Sequence, residues 1–386
     1  MHRYAERTAM LAHLLADRET LVAGWREAVA AGRGDLLRPA LTPLRALHHT
    51  ACRWDEAVHW MTQALPLLQG DAQAEAEVAL ARALAATFSG EPARARAEAR
   101  RAMGALRGAA QGPLRRDALV YAGYADLALG DVAAAEAGFE AGLASARDDG
   151  DPIATAMFLG ALADLDSRAG RHAQACARQR EVVALRGGVD ADRPMLLNNF
   201  AGSLIAAGEL AEARRVVDDG LAACRDTTSP LVAPFLWLHR AELALRQGRP
   251  ADGRADHARA QALAPAGALG GLRLELALWA VRVALAEGDA TAALQALGTA
   301  TDEALASGLP APLARCAALW GRATALQGDA AEAAAWLNAA LALPELTGTE
   351  RDEAEAARQA LPALAAAAAP PWPAPALRQR LLDRRA

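Results

Sequence analysis

Four residues within "HHTACRWDEAVH" could bind a metal: His48, His49, Cys52 and His59. His48 and Cys52 stand four apart and would share a helix face, and soft ligands at that spacing can hold zinc. Structural zinc sites use four ligands at fixed short spacings, and no fourth ligand of that kind follows. The expectation is no metal, with ordinary histidines beside an interhelix turn at Cys52.

Other chemistry is argued against in the same way. There is no GxSxG elbow, no HExxH pair, no Cys–His nucleophile signature and no Gly-rich phosphate loop. All 41 positions counted as Lys or Arg are arginine. A P-loop needs its lysine on the β- and γ-phosphates, so a conventional ATPase site within this chain is excluded, as is a Schiff-base lysine. The carboxylate pairs Asp148/Asp149 and Asp218/Asp219 fall at expected helix ends, where solvated charge is normal. Cys52, Cys176, Cys224 and Cys316 form no CxxC pair and read as small buried hydrophobes in a reduced compartment. The reading is a non-enzyme without a cofactor.

Partners are narrowed by charge. A net charge of −5 lacks the basic footprint that neutralises phosphates, so no direct nucleic-acid contact is expected. "LRQRLLDRRA" is locally basic and reads as a solvated end. No stretch approaches the roughly 20 apolar residues that span a bilayer. "MHRYAERTAM" is charged and has no signal-peptide apolar run, so a cytoplasmic location is expected.

The elements that would position any site must be helices. The chain has 386 residues, 53% hydrophobic and only 4% aromatic, and alanine dominates. Ala loses no rotamer entropy in a helix and lets a neighbouring backbone approach, so the class is all-α. Equivalent turns recur at Cys52, Gly90, Gly130, Gly170, Gly208, Gly248, Gly288 and Gly328, spaced by 38, 40, 40, 38, 40, 40 and 40 residues. Five residues after each turn stands a small residue: Ala57, Ala95, Ala135, Ala175, Ala213, Gly253, Ala293 and Ala333. Twelve after, only Val182 is larger than Ala; seven before, only Arg45 and Val281 are. Small residues are needed where helices cross closely.

Gly ends one helix in the left-handed conformation, and the Asp, Glu or Arg after it opens the next. The expected pairs are 35–51/54–68, 72–89/91–108, 114–129/131–147, 152–169/171–187, 191–207/209–226, 229–247/250–264, 269–287/289–307 and 311–327/329–343. Helices over 3–31 cap the start and one over 349–367 caps the end, with "APPWPAPA" ending regular structure. The resulting division is 1–34 as N-terminal cap, 35–347 as eight repeats and 348–386 as C-terminal cap and Pro-rich tail.

This pattern resembles the tetratricopeptide repeat (TPR), most closely at 119–143 (Gly123, Phe139) and 319–343 (Trp320, Gly321). The period is near 40, against the 34 of the standard repeat. The longer unit, with "LVAGWREAVAAGRGDLLRPALTPLRALHHTACRWDEAVHWMTQAL", resembles the sensor domain of MalT-type transcriptional regulators and related STAND-class ATPases. That resemblance implies a TPR-like α-solenoid, a right-handed superhelix whose first (A) helices line a concave groove.

It places Ala46, Leu84, Tyr124, Asp164, Gly202, Glu242, Arg282 and Arg322, six before each turn, in that groove. Asp117, Glu275 and Arg315 at thirteen before join them, with Asn198 at ten before. The groove is then acidic in its middle and basic near its end, and Tyr124, Trp237 and Trp279 offer flat apolar contacts. The function implied is a sensor module that seats a peptide, a protein or a small effector, with an ATPase in cis if the chain is part of a larger regulator. The alternative is a free-standing TPR scaffold mediating protein–protein interactions.

Overall fold

The computed structural model describes residues 17–50, 53–106, 112–186, 193–224, 232–264, 270–362 and 372–384. Among them there are helices and no strand. The order is α1 Arg18–Ala30, α2 Gly34–Thr50, α3 Trp54–Ala64, α4 Ala72–Phe88, α5 Pro92–Ala105, α6 Pro113–Ala128 and α7 Val132–Asp148. It continues with α8 Pro152–Arg168, α9 His172–Arg186, α10 Arg193–Ala206, α11 Leu210–Ala223, α12 Val232–Arg246 and α13 Pro250–Leu263. The last are α14 Gly270–Ala286, α15 Ala290–Ser307, α16 Pro310–Leu326, α17 Ala330–Leu341, α18 Gly348–Gln359 and α19 Ala374–Asp383. The eight expected pairs are α2/α3 through α16/α17, so the fold is an all-α array of TPR-like hairpins. No described helix is long and apolar enough to cross a membrane.

The turns form for the reason the glycines suggest. Gly90, Gly130, Gly170, Gly208, Gly248, Gly288 and Gly328 all have φ between 68° and 92°. The amide after each one bonds five residues back, for example Asp131 N–H to the Asp126 carbonyl at 2.8 Å and Glu209 N–H to Leu204 at 2.9 Å. That closes the first helix of the hairpin with a Schellman motif. Where Asp follows the glycine its carboxylate caps the second helix: Asp131 accepts from Ala134 N, Asp289 from Ala292 N and Asp329 from Glu332 N. Two adjacent residues, Gly and Asp, thus end one helix and start another. The first turn position, Cys52, lies outside the described residues.

The helix crossings are as tight as the small-residue register requires. Ala95, Ala135, Ala175, Ala213, Ala293 and Ala333 are wholly buried. A Cβ added to Gly123 would stand 2.2 Å from the Phe139 ring, and one on Gly321 would stand 2.6 Å from Leu337. Gly142 gives its space to Phe158, where an added Cβ would stand at 2.1 Å.

The chain forms two compact units, one of residues 1–165, 177–196 and 222–229, the other of 166–176, 197–221 and 230–386. In the first, Trp25, Leu37, Leu41, Trp60 and Met61 form one core cluster, and Phe139, Phe158, Leu162 and Leu165 belong to another. In the second, Val281, Leu297, Trp320, Trp336 and Leu337 form a continuous cluster that extends to Leu377 and Leu381.

The C-terminal end differs from the sequence expectation. α18 stops at Gln359, and the segment "APPWPAPA" does not end regular structure, because α19 follows. Pro373 is the N-cap of α19, with a proline in its first turn, where the missing N–H costs no intrahelical bond. Leu377 and Leu381, four apart, are buried against the array, and Trp372 meets Trp336 edge-on at 4.9 Å. Of the expected N-terminal helices, only α1 falls within the described residues.

Candidate functional site

Each unit arranges polar residues on the face of its A helices, the first helices of successive hairpins. In the first unit the centre is Arg45 on α2. Its guanidinium donates to Glu77 on α4 and to Asp117 on α6, both at 2.8 Å. Thr42 donates to the same Glu77 carboxylate. Burial would lower the Arg45 pKa, but Asp117 and Glu77 outweigh it and hold the guanidinium more firmly charged than usual. Burial pushes the Tyr121 phenol beside it up to about 12, against the pull of Arg45. Arg45 is one of the two residues that break the small-residue rule seven before the turn. Here that position carries a long side chain because it ties three A helices together.

The other expected residues of this unit have mixed placements. Asp117 is the partner of Arg45. Tyr124 is half-buried and meets Phe139 at 5.4 Å edge-on, so its ring serves the crossing over Gly123. Asp164 is half-buried on α8. Leu84 is buried in the core, and the Ala46 side chain lies outside the described residues.

In the second unit the positions six and thirteen before the turns do fall into rows. Glu242 on α12 accepts from Arg282 on α14 at 2.9 Å and from Arg246 at 2.6 Å. Glu275 on α14 receives both terminal nitrogens of Arg315 on α16, at 2.5 and 2.9 Å. Two glutamates of α18 complete the rows. Glu350 lies 3.1 Å from Arg315, and Glu353 pairs with Arg282 at 2.8 Å and also with Arg322. Burial would raise the Glu242 and Glu275 pKa values, yet the arginines hold both below the usual carboxylate range. Within this unit the charges expected to stand apart as separate acidic and basic patches neutralise one another.

His239 of α12 sits at the end of these rows. A Cβ on Gly202 would be 3.4 Å from its ring, and its imidazole bonds the Asn198 carbonyl. Burial pushes its pKa down, opposed by Glu242, Glu275 and that carbonyl. Asn198 also donates from its side-chain amide to Asn199 at 3.2 Å.

The expected flat aromatic contacts are already taken. Trp279 is buried with Arg282 stacked 4.4 Å from its ring centroid. Trp237 lies between Arg240 and Arg259, at 4.9 and 4.8 Å. Cations on aromatic faces satisfy both groups at once.

Chemistry of other kinds finds no geometry among the described residues. No group of three or more His, Cys, Asp or Glu is set to hold a metal. Cys52 lies outside the described residues, as do the side chains of His48 and His49, and His59 is exposed beside Gln63. Asp149 pairs with Arg116, and Asp218 with Arg214. Burial raises the Cys316 thiol to about 12, the opposite of what a nucleophile needs.

Sequence reasoning missed Arg45, Glu77, His239, Glu350 and Glu353. Arg45 carried a signal, since a long charged residue stood where the register demanded a small one. The two glutamates of α18 carried none, because their partners lie on other helices.

No family model matches the chain, and no curated protein matches it. Among solved structures it is similar to a Rap protein crystallised in complex with competence and sporulation factor. Identity is 11%, the TM-score is 0.60, and the match covers 91% of this chain and 98% of that one. It is also similar to a tetratricopeptide repeat protein from Parabacteroides merdae ATCC 43184, at 13% identity and TM-score 0.46, covering 73% of this chain and 98% of that one. A third is human IFIT1, solved as a dimer with m7Gppp-AAAA, at 14% identity and TM-score 0.43, covering 82% and 79%. The first likeness concerns the fold alone: the chain has an all-α helical-hairpin repeat fold similar to that of the Rap protein.

Proposed function

We propose that this chain is a non-catalytic scaffold that docks peptide or protein segments on the A-helix faces of its hairpins. The observation that carries the reading is the alignment of polar and charged side chains in rows across α10, α12, α14 and α16, on one face of one unit. Repeated hairpins present such a face as an extended surface, and that is how repeat proteins bind. The Rap protein of similar fold, crystallised with competence and sporulation factor, supports a binding role for the array.

The test compares partner capture by the wild-type chain, an Asn198→Arg variant on the A-helix face, and a Glu140→Arg control on the exposed side of α7. A partner retained by wild type and control but lost by Asn198→Arg, at unchanged melting temperature, is the expected result. If no partner distinguishes the two variants, the face is not the docking surface. The finer reading, a sensor arm of a STAND-type regulator that also takes a small effector, rests on the long period and on residues 21–65. None of the structures named above is such a regulator. An in-frame GxxxxGK[ST] motif encoded upstream of Met1 would support it.

A further inference from the structure

α18 is held differently from the helices before it. An A helix that only extends the array would meet its predecessor, α16. α18 does so, and it also reaches Arg282 on α14, two A helices back, as α6 reaches Arg45 on α2. Its first residue, Gly348, comes near the last turn of α8, where a Cβ on it would stand 3.9 Å from the Ser167 carbonyl oxygen. Of its twelve residues only Ala354 is buried, whereas α16 buries nine and α17 six. The apolar contribution of α18 to the core is small, Ala354 with Ala357 beside it, in the cluster that also takes in Leu377 and Leu381 of α19. What ties α18 down is mostly polar: Glu350 and Glu353 on three arginines, Arg358 on Asn338, and Arg351 on the Leu341 carbonyl.

The charges beneath it are not balanced without it. Arg246, Arg282, Arg315 and Arg322 face Glu242 and Glu275, four positive charges against two negative, and Glu350 with Glu353 supply the missing two.

We propose that this arginine cluster is a docking site for an acidic helical segment of a partner protein, and that α18 is the resident strap that such a segment displaces. The proposal rests on the scaffold reading and names the partner's chemistry. The partner has carboxylates one helical turn apart, as Glu350 and Glu353 are. A replacement of like for like restores every counter-charge, whereas a neutral or basic segment would leave Arg322 without the Glu353 carboxylate and Arg282 and Arg315 with one carboxylate each. A helix with few buried apolar contacts is also the first to open locally. While α18 is seated, the affinity for an incoming segment is reduced by the fraction of molecules in which the site is open.

The probe is a fluorescein-labelled synthetic peptide of residues 346–361, followed by anisotropy against the full chain. Glu350→Gln/Glu353→Gln in the chain loosens the strap and leaves the arginines intact. This variant is expected to bind the peptide at least about tenfold more tightly than wild type does, by removing the cost of opening. A peptide carrying the same two glutamines is expected not to bind. Equal binding by wild type and the folded variant, or equal binding of both peptides, overturns the proposal.

Hydrogen exchange on the wild-type chain decides the matter even if the variant does not fold. Amides of 348–359 should exchange faster than those of α16, and faster again as salt rises from about 50 mM to about 500 mM. Salt-independent protection equal to that of α16 overturns it. Failure here leaves the Asn198→Arg comparison standing, because that comparison does not involve α18.

Discussion

At the scale of single residues, the molecule depends on where a Cβ is absent. Gly142 and Gly138 lie one turn apart on α7, yet their surroundings are opposite. A Cβ on Gly142 would enter the fully buried Phe158 ring, while one on Gly138 meets nothing within 4 Å. Gly142→Ala should therefore destabilise the chain by about 1–3 kcal/mol through overpacking. Gly138→Ala should stabilise it by roughly 0.5–1 kcal/mol through lost unfolded-state entropy. Denaturant midpoints of the two variants, shifted in opposite directions, are the expected result; shifts of the same sign would show that the crossing is not where the structure has it. The reversal was half legible in the sequence. The spacing marks Gly142 as a crossing position, but only the Phe158 contact says how little room is left.

At the scale of elements, the A helices α10, α12 and α14 are joined by groups that titrate. His239 faces the Asn198 carbonyl from α10, Glu242 from its own helix and Glu275 from α14, with Arg282 and Arg315 behind those carboxylates. Because burial lowers its folded pKa, the unfolded chain takes up the proton first as pH falls through about 6.5. The His239 contribution is thus complete above that value and declines on acidification toward the lower folded pKa. His257 is also lowered by burial and donates to the Leu276 carbonyl at 2.8 Å, so it adds to the same window. Glu242 and Glu275 act lower, since their depressed pKa values give stability above about 4.3 that disappears on further acidification. Urea midpoints at pH 7.5 and 5.5 should differ less for His239→Gln than for wild type, and least for the double variant with His257→Gln. An unchanged difference would mean that neither imidazole is held neutral by burial.

At the scale of the whole molecule, stability should be local. Each hairpin packs chiefly on its neighbours, and repeat arrays behave as nearest-neighbour chains. Leu337→Ala removes a fully buried side chain seated against Gly321 and should cost about 2–5 kcal/mol. Hydrogen exchange should then accelerate most in α16 and α17, less in α14 and α15, and little in α4 to α7. Equal acceleration across both compact units would show that the chain unfolds as one block.

The amino-acid sequence alone was enough for the helical class, the eight hairpins, the turn at each glycine and the small residues at each crossing. These are local or strictly periodic properties. A glycine is left-handed because of its own missing Cβ, and a crossing repeats because every hairpin meets the next in the same way. It also indicated that the polar positions six and thirteen before the turns share a face. The partner each charge would find was decided by the tertiary structure. Arg45 reaches Asp117 across 72 residues and Arg282 reaches Glu353 across 71, each passing over an intervening A helix. Those distances depend on how closely successive A helices approach, which no spacing within one helix contains. α19 is the same case. Its prolines read as breakers in isolation, and it forms a helix with Leu377 and Leu381 buried against the preceding hairpin.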